Sequence, residues 1–201
     1  MDIQEKQILY KVRKTVLEMI NDRKFIVPDI ENITLEEFTV KYSNKNLDIY
    51  LNDESKNQKI YIHFHNDNKS FSKSDLKNIM QKVITTYKDE NINLILILRD
   101  KENSAVSKEL TKDVYKNVEV FLRKNMAFNI THHEFVPQHI VLTKDEEIEV
   151  LEKYYTTKGK LPKISKNDPV AKYYGMKLEQ ICKIIRKSPE VGTYIYYRLV
   201  R

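Results

Sequence analysis

Hydrophobic residues recur three and four positions apart over the first two dozen positions of the chain, which is the period of an α-helix. These apolar positions run from Ile3 to Ile20, and charged residues occupy the other side of the pattern. The pattern predicts an amphipathic helix that covers one face of a sheet. A short second helix is predicted after Thr34, because Thr34 and Glu37 have the spacing of a capping box.

Three stretches further along have the periodicity or the composition of β-strands. Residues 47–51 and 59–65 are predicted to be strands, and we expect them to pair. Residues 93–98 read Asn-Leu-Ile-Leu-Ile-Leu and are almost continuously apolar, as strands buried in a parallel sheet tend to be.

A helix is predicted between the second and third of these strands, with Ser70 or Ser74 as its cap. A helix that joins two strands of one sheet implies a right-handed βαβ crossover. A further helix is predicted over residues 104–115 and a fourth strand over residues 118–122. The front of the chain is therefore predicted to be an α/β domain with a small, largely parallel sheet and flanking helices.

The C-terminal third has clear signals for helix ends. Thr143 and Glu146 have the spacing of a capping box, which predicts a helix after Thr143. Asp168 can cap another helix whose first position is Pro169, where the missing N–H is no loss. Gly175 can take the left-handed conformation that closes this short helix.

Residues 181–200 predict a β-hairpin at the end of the chain. Residues 181–187 and 193–200 are rich in Ile, Tyr and Val, and the segment Ser-Pro-Glu-Val-Gly between them marks a turn. Each face of the first strand carries apolar residues and a cation, so we expect neither face to be freely solvated. The back of the chain is therefore predicted to be an α+β domain with a mixed sheet and a terminal β-hairpin.

Turn chemistry changes near residue 131. All three glycines and four of the five prolines lie after this position, and no low-complexity linker intervenes. We therefore expect an N-terminal domain over residues 1–131 and a C-terminal domain over residues 132–201.

Composition narrows the class of protein. A chain of 201 residues with 41% hydrophobic residues is long and apolar enough to fold, and its net charge of +6 favours a polyanionic neighbour. The single cysteine, Cys182, excludes an internal disulfide and a cysteine-rich zinc site, and we expect it to be a packing residue. The longest apolar run, Leu94 to Leu98, is far shorter than the roughly 20 residues of a membrane-spanning helix. We expect a soluble, intracellular protein with no membrane partner.

Histidines and carboxylates give little support to a metal site or an enzyme. His63 with His65, and His132 and His133 with His139, invite a metal hypothesis, but both signals are weak. No acidic or sulfur cluster lies near His63 and His65 in the sequence, so surface or packing roles are expected for them. A nuclease would need a carboxylate on one strand and an acid-x-Lys pattern on the next to hold Mg²⁺. Asp48 could be the first acid, but residues 59–65 contain no carboxylate. With no Gly-rich phosphate loop either, the sequence predicts no catalytic site, no cofactor and no small-molecule substrate.

Several blocks of the C-terminal third match one known family in the same order. The chain resembles the fifth subunit of eukaryotic RNA polymerases, whose C-terminal assembly domain has a counterpart in archaeal RNA polymerases. In the N-terminal domain the likeness is weaker and rests on Asn21-Asp22-Arg23 and Leu35-Glu36-Glu37-Phe38. The C-terminal blocks are His133-Glu134-Phe135-Val136-Pro137-Gln138-His139, Leu161-Pro162-Lys163-Ile164, Asp168-Pro169-Val170-Ala171, Tyr174-Gly175-Met176-Lys177, Lys183-Ile184-Ile185-Arg186-Lys187-Ser188 and Tyr197-Arg198.

This resemblance implies a non-catalytic subunit of a multisubunit DNA-directed RNA polymerase that acts in transcription. In the family, the C-terminal assembly domain docks on the largest subunit, and the N-terminal jaw domain lies near downstream duplex DNA. The partner-binding residues that the resemblance implies are His133, Pro137, His139, Pro162, Asp168, Pro169, Tyr174, Gly175, Lys183, Arg186 and Arg198.

The family jaw also carries a Thr-Pro-Ser-Ala turn associated with DNA contact. The equivalent segment here, residues 102–105, reads Glu-Asn-Ser-Ala, so Ser-Ala is kept and Thr-Pro is not. Ser104 could cap a helix whose N–H groups face a phosphate, and lysines flank it. The alternative is a solvated helix start with ordinary surface lysines. The DNA-proximal residues expected here are Lys101, Ser104, Ala105, Lys108 and Lys112.

The sequence leaves the setting of this function open. The alternative to a polymerase subunit is a free-standing basic α/β protein that binds nucleic acid on its own. A short, divergent jaw beside a better-matched assembly domain is compatible with a cellular gene and with a large DNA virus that encodes its own polymerase. The expected location is the nucleus in the first case, and the virion or a cytoplasmic viral factory in the second.

Overall fold

The computed structural model describes residues 3–28, 33–41, 47–53, 58–66, 69–89, 92–188 and 192–201. The chain divides into two units, Met1–Phe128 and Asn129–Arg201. Each unit contains one four-stranded sheet. No helix in the described ranges is both long and apolar enough to cross a lipid bilayer.

Four strands form a mixed, mainly parallel sheet in the N-terminal unit, in the order β1-β2-β3-β4. β1 is antiparallel to β2, whereas β2, β3 and β4 run parallel. The predicted small, largely parallel sheet with flanking helices is confirmed. The elements of this unit are α1 (Ile3–Asp22), α2 (Leu35–Lys41), β1 (Ile49–Asp53), β2 (Gln58–Phe64), α3 (Lys73–Tyr87), β3 (Asn93–Leu98), α4 (Ser104–Leu110) and β4 (Val118–Leu122).

Strand β3 is buried on both faces, as its apolar run predicts. Its leucines, including Leu96, belong to one core cluster with α3 residue Leu76 and α4 residue Val106. On the other face, Ile95 is in register with Glu119 of β4. Arg23, just beyond α1, donates two hydrogen bonds of 2.9 and 2.8 Å to the Glu119 carboxylate. The C-terminal end of α1 is therefore held on the face opposite α3 and α4.

The predicted apolar stripe of α1 is wrong at its start. Ile3 and Ile8 are 73% and 46% exposed, and the first buried residue of the stripe is Leu9. The predicted capping box of α2 is confirmed, since Thr34 and Glu37 hydrogen-bond each other's backbone N–H groups.

The predicted cap of α3 is also wrong. Ser72 caps the helix, and the Asp75 side chain accepts the Ser72 N–H at 2.9 Å, which completes a capping box. The residue three positions after Ser70 is a lysine, and so is the residue three positions after Ser74. A lysine side chain cannot accept a hydrogen bond from the N–H of a cap residue. The position of the acid, and not that of the serine, therefore decides where this helix begins.

The C-terminal unit has a mixed sheet with strand order β5-β7-β8-β6. β7 is antiparallel to β5 and to β8, and β6 is parallel to β8. The predicted mixed sheet and terminal hairpin are confirmed, although turn residues 189–191 are outside the described part of the chain. The elements are β5 (Gln138–Val141), α5 (Lys144–Lys153), β6 (Lys163–Ile164), α6 (Pro169–Tyr173), β7 (Ile181–Ser188) and β8 (Gly192–Val200).

Helix α6 begins and ends as predicted. The Asp168 side chain accepts the N–H groups of Val170 and Ala171 at 2.8 and 3.4 Å, and Pro169 is the first helical residue. Gly175 follows the helix with φ of 61°. This left-handed conformation favours glycine, so the tight end of α6 depends on that residue.

The C-terminal unit buries an apolar cluster on each side of its sheet. One cluster contains Ala171 of α6 with Cys182 and Ile184 of β7. The other joins Ile181 and Leu199 to partly buried residues of α5. Helices α5 and α6 cover only the half of the hairpin that is farther from its turn. The prediction that neither face of β7 is solvated is therefore wrong beyond its midpoint, where Arg186 and Lys187 are exposed.

Helix α5 is anchored by one buried carboxylate. The predicted capping box between Thr143 and Glu146 is confirmed. On the covered side, Glu147 is 6% exposed, and its Oε1 accepts the backbone N–H of Ile181 at 2.7 Å. Its Oε2 contacts Lys158 Nζ. Glu147 therefore connects α5 directly to the first residue of β7.

Candidate interaction surfaces

The predicted DNA-proximal residues surround the start of α4. Three exposed residues share one face of α4, because Lys108 lies four residues after Ser104 and three residues after Ala105. Lys101 is exposed in the segment that joins β3 to α4. The predicted cap is wrong: Asn103 caps α4, because its Oδ1 accepts the Val106 N–H at 2.9 Å, and Ser104 is the first helical residue.

Lys112 differs from the other lysines of this group because it is paired. Its Nζ lies 2.9 Å from Glu109, and Lys73 of α3 reaches the same carboxylate at 2.7 Å. Hydrogen bonds from Lys73 and then Lys112 hold the pKa of Glu109 below its usual value. The predicted helix over residues 104–115 is also interrupted here, since α4 ends at Leu110 and a 3₁₀ turn follows over Asp113–Tyr115. Lys101 and Lys108 are the lysines of this surface that form no ion pair with the described residues.

Asp48 acts as a structural acceptor in the N-terminal unit. Its carboxylate accepts hydrogen bonds from Tyr61 Oη at 2.7 Å and from the Phe64 N–H at 3.1 Å, and it lies 3.0 Å from His63 Nδ1. Burial alone would raise the pKa of Asp48, but the His63 hydrogen bond and charge and the other donors lower it. Burial and the same carboxylate raise the pKa of Tyr61.

The histidines that invited a metal hypothesis have other partners. The rings of His63 and His65 are 6.4 Å apart, and His65 Nε2 lies 3.2 Å from the Lys69 carbonyl oxygen. His133 Nδ1 accepts the Phe135 N–H at 3.2 Å. His139 donates from Nδ1 to the Pro137 carbonyl oxygen at 2.7 Å. Over the described ranges, no group of three or more His, Cys, Asp or Glu residues is arranged to hold a metal ion.

Several predicted partner-binding residues gather on the α6 face of the C-terminal sheet. His139 is only 8% exposed and stacks on Tyr174, with ring centroids 6.5 Å apart. Burial lowers the pKa of His139 despite the Pro137 hydrogen bond, and the charges of Asp168 and Arg198 also act on it. Asp168, Pro169 and Gly175 form the two ends of α6. These predicted residues therefore help to build the C-terminal unit itself.

The remaining predicted residues are spread over other parts of the unit. Lys183 is in register with Ile140 and lies on the opposite sheet face from Arg186. The Pro162 carbonyl accepts the Leu199 N–H at 2.8 Å at the β6 edge. His133 is exposed just before β5, beside Phe135, which is 84% exposed.

A basic and aromatic patch extends along the α6 face of the hairpin, from Arg186 near the turn to Arg198 opposite Cys182. We call Arg186, Tyr194, Tyr196 and Arg198 the hairpin patch. Tyr194 and Tyr196 are stacked with centroids 5.8 Å apart, and Arg198 Cζ lies 5.8 Å above the Tyr196 ring. Arg186 is directly opposite Tyr194. Among the described residues, no carboxylate forms an ion pair with either arginine.

Two members of the hairpin patch, Tyr194 and Tyr196, were missed in the sequence. Their signal is the spacing of two residues within a predicted strand, which places both rings on one sheet face. Cys182 stands directly opposite Arg198 in β7 and is fully buried, as predicted for a packing residue. Burial raises the pKa of its thiol to about 11, so the thiol stays protonated and unreactive at neutral pH.

Comparison with known families identifies the class of protein, which the geometry alone leaves open. The family model for the N-terminal domain of RNA polymerase Rpb5 matches residues 4–83, and the model for its C-terminal domain matches residues 128–200. The chain belongs to the Rpb5 family of RNA polymerase subunits. The Rpb5 match spans both units of the structure and is not confined to the C-terminal third.

Individual relatives agree with the Rpb5 assignment over nearly the whole chain. The DNA-directed RNA polymerases I, II, and III subunit rpabc1 of Dictyostelium discoideum is 35% identical over 95% of this chain and 96% of its own length. The corresponding RPABC1 subunit of Caenorhabditis elegans is 35% identical over 96% of this chain and 95% of its own. The predicted family is therefore confirmed.

Proposed function

We propose that this chain is a non-catalytic subunit that joins its polymerase through the C-terminal unit and faces downstream DNA with the N-terminal unit. The observation that carries the first part is the hairpin patch. Stacked tyrosines beside two arginines without acidic partners in the described chain form a surface suited to a protein that supplies carboxylates and apolar contact. The proposed partner is the largest subunit, with further contacts to other subunits.

The second part of the proposal rests on the exposed face of α4. Lys101 and Lys108 carry positive charge next to the small residues Ser104 and Ala105, which allow a phosphate backbone to come close. Lys112 contributes less, since its charge is balanced by Glu109. The proposed contact is with the backbone of duplex DNA and does not read base sequence.

Reversing the two exposed charges tests the DNA contact. In polymerase that contains the Lys101→Glu/Lys108→Glu variant, we expect weaker crosslinking to downstream duplex DNA. We also expect the slope of log binding constant against log salt to fall by about 1 per lysine removed. The variant Lys77→Glu/Lys82→Glu changes the net charge equally at exposed positions of α3 and serves as the control. Equal crosslinking in both variants and the wild type would contradict the contact.

No cofactor, metal or small-molecule substrate enters this proposal, and the chemistry of nucleotide addition belongs to other subunits. The subunit acts where its polymerase acts. That place is the nucleus for a cellular gene, and the virion or a cytoplasmic factory for a viral one.

Co-purification separates this proposal from a free-standing nucleic-acid-binding protein. The affinity-tagged full chain, expressed in its own host, is expected to bring down the largest polymerase subunit in equal amount. The purified chain alone is expected to bind duplex DNA weakly at physiological salt, since 29 acidic residues offset its 35 basic ones. Tight, steeply salt-dependent binding by the chain alone, without polymerase subunits in the purified material, would support the free-standing protein instead.

A further inference from the structure

Strand β8 has a long edge that nothing in the described C-terminal unit covers. β6 pairs with β8 only at Leu199 and Val200. The preceding seven residues, 192–198, are paired with β7 on one side only. A row of unpaired N–H and C=O groups of this length is a template for another strand.

The direction of the free backbone groups follows from the register. The N–H of Leu199 donates to Pro162 and that of Arg201 to Ile164, so odd-numbered residues of β8 point away from β7. By the same alternation, the N–H and C=O groups of Thr193, Ile195 and Tyr197 point outward. Among the described residues, none of these three N–H groups has a hydrogen-bond partner.

This edge lacks the usual features that prevent pairing. The β7–β8 register is continuous from Ile181 opposite Leu199 to Ser188 opposite Gly192, so no bulge twists the edge away. Residues 192–198 include no proline and only one charged residue, Arg198. Natural proteins blunt exposed edges by such means, which indicates that this edge is covered when the protein works.

The two faces beside the edge define the chemistry of the covering strand. On the α5 face, Ile195 is 47% exposed and stands directly opposite Ile185, and Ile140 of β5 is 36% exposed on the same face. On the α6 face lies the hairpin patch with its two arginines. An incoming strand would therefore place apolar side chains on one face and carboxylates on the other.

We propose that an extended segment of the largest polymerase subunit, with alternating apolar and acidic residues, adds to the C-terminal sheet as a strand beside β8. This inference rests on the proposed docking of the chain on that subunit. It goes further, because it assigns the contact to backbone hydrogen bonds at Thr193, Ile195 and Tyr197. The hairpin patch then selects the partner by charge, while the edge supplies affinity.

Hydrogen exchange read at single amides tests the inference. In the free chain, the amides of Thr193, Ile195 and Tyr197 should exchange fast, whereas those of Tyr194, Tyr196 and Arg198, which face β7, should exchange slowly. In the complex with the co-expressed largest subunit, exchange at the three outward amides should slow by at least about tenfold. The alternation in the free chain serves as an internal control.

The possible results separate this inference from the docking proposal. A stable complex in which the three outward amides still exchange fast would overturn strand addition and leave docking intact. Failure to form any complex would overturn both. Concentration-dependent protection in the free chain would show that a second copy covers the edge, and would also overturn the inference.

A pair of variants checks the same point by affinity. Ile195→Pro removes one outward N–H and keeps the β7 ladder, because that N–H does not face β7. Ile195→Ala removes more apolar side chain than the proline variant does but keeps the N–H, so it gives an upper limit for the side-chain effect. We expect the proline variant to bind the largest subunit at least about tenfold more weakly than the alanine variant. Equal affinities, with the Tyr194 and Tyr196 amides still protected in both, would contradict strand addition.

Discussion

Reversing the charge of the hairpin patch is expected to weaken binding to the largest subunit by at least about 30-fold. The change is Arg186→Glu/Arg198→Glu, which places two carboxylates where the proposed partner supplies its own. Like charges opposed across an interface cost several kcal/mol, and about 2 kcal/mol already corresponds to this factor. The measurement is the affinity of the purified full chain for the largest subunit.

The control makes the same change in net charge at a different surface of the C-terminal unit. Lys144→Glu/Lys153→Glu changes two exposed residues of α5 and should leave affinity within about threefold of the wild type. The melting temperature of each variant is measured to confirm that it is folded, because Arg198 is partly buried and contacts the Lys163 carbonyl oxygen at 3.4 Å. If the two variants bind equally well, the hairpin patch is not the docking surface.

Removing the buried carboxylate of α5 is expected to lower the free energy of unfolding of the C-terminal unit by about 1–3 kcal/mol. The change is Glu147→Ala, which leaves the buried Ile181 N–H without its acceptor at 2.7 Å. Lys158 loses the same carboxylate but can turn to water, since its side chain is 36% exposed. Urea unfolding followed by hydrogen exchange within residues 129–201 measures the loss.

Glu147→Gln separates the hydrogen bond from the charge. Its amide oxygen can still accept the Ile181 N–H, whereas the ion pair with Lys158 is gone. We expect this variant to keep most of the stability, because a pair with one half-exposed member contributes little. If Glu147→Gln is as unstable as Glu147→Ala, then the charge and not the acceptor stabilises the junction between α5 and β7.

Capping signals are predictable when both partners lie within one turn of sequence. The starts of α5 and α6 are marked without ambiguity, by Thr143 with Glu146 and by Asp168 with Pro169. In both helices the cap residue and the residues to which it hydrogen-bonds are at most three positions apart. The start of α3 was missed because three serines occur within five positions. Only the acid three residues after Ser72 distinguishes it from its neighbours.

Contacts between distant segments are the part that the sequence does not reveal. Lys112 reads as a surface cation beside α4, yet it shares Glu109 with Lys73, which lies on α3. Arg186 lies in an apolar strand, so the sequence predicts that it is partly covered. Neither α5 nor α6 extends far enough along the sheet to cover it. Both errors depend on how far a helix reaches over its neighbour, which local periodicity does not encode.

The family and the fold class were nonetheless accessible before the structure. The matching C-terminal blocks contain the residues that end α6 and build the hairpin, namely Asp168, Pro169, Gly175 and the β7 run. In this chain Asp168, Pro169 and Gly175 set the two ends of α6, and the β7 run forms the centre of the C-terminal sheet. The hairpin patch and the free β8 edge became visible only when strand register was known.

Site-specific photocrosslinking in the assembled polymerase tests the central claim most directly. A photoreactive phenylalanine in place of Tyr194 is predicted to crosslink to the largest subunit. The same group in place of Tyr155, which is 96% exposed beyond the end of α5, serves as the comparison and should give little crosslinking to that subunit. A Tyr194 position that crosslinks to no subunit, or a Tyr155 position that crosslinks more strongly to the largest one, would contradict docking through the hairpin patch.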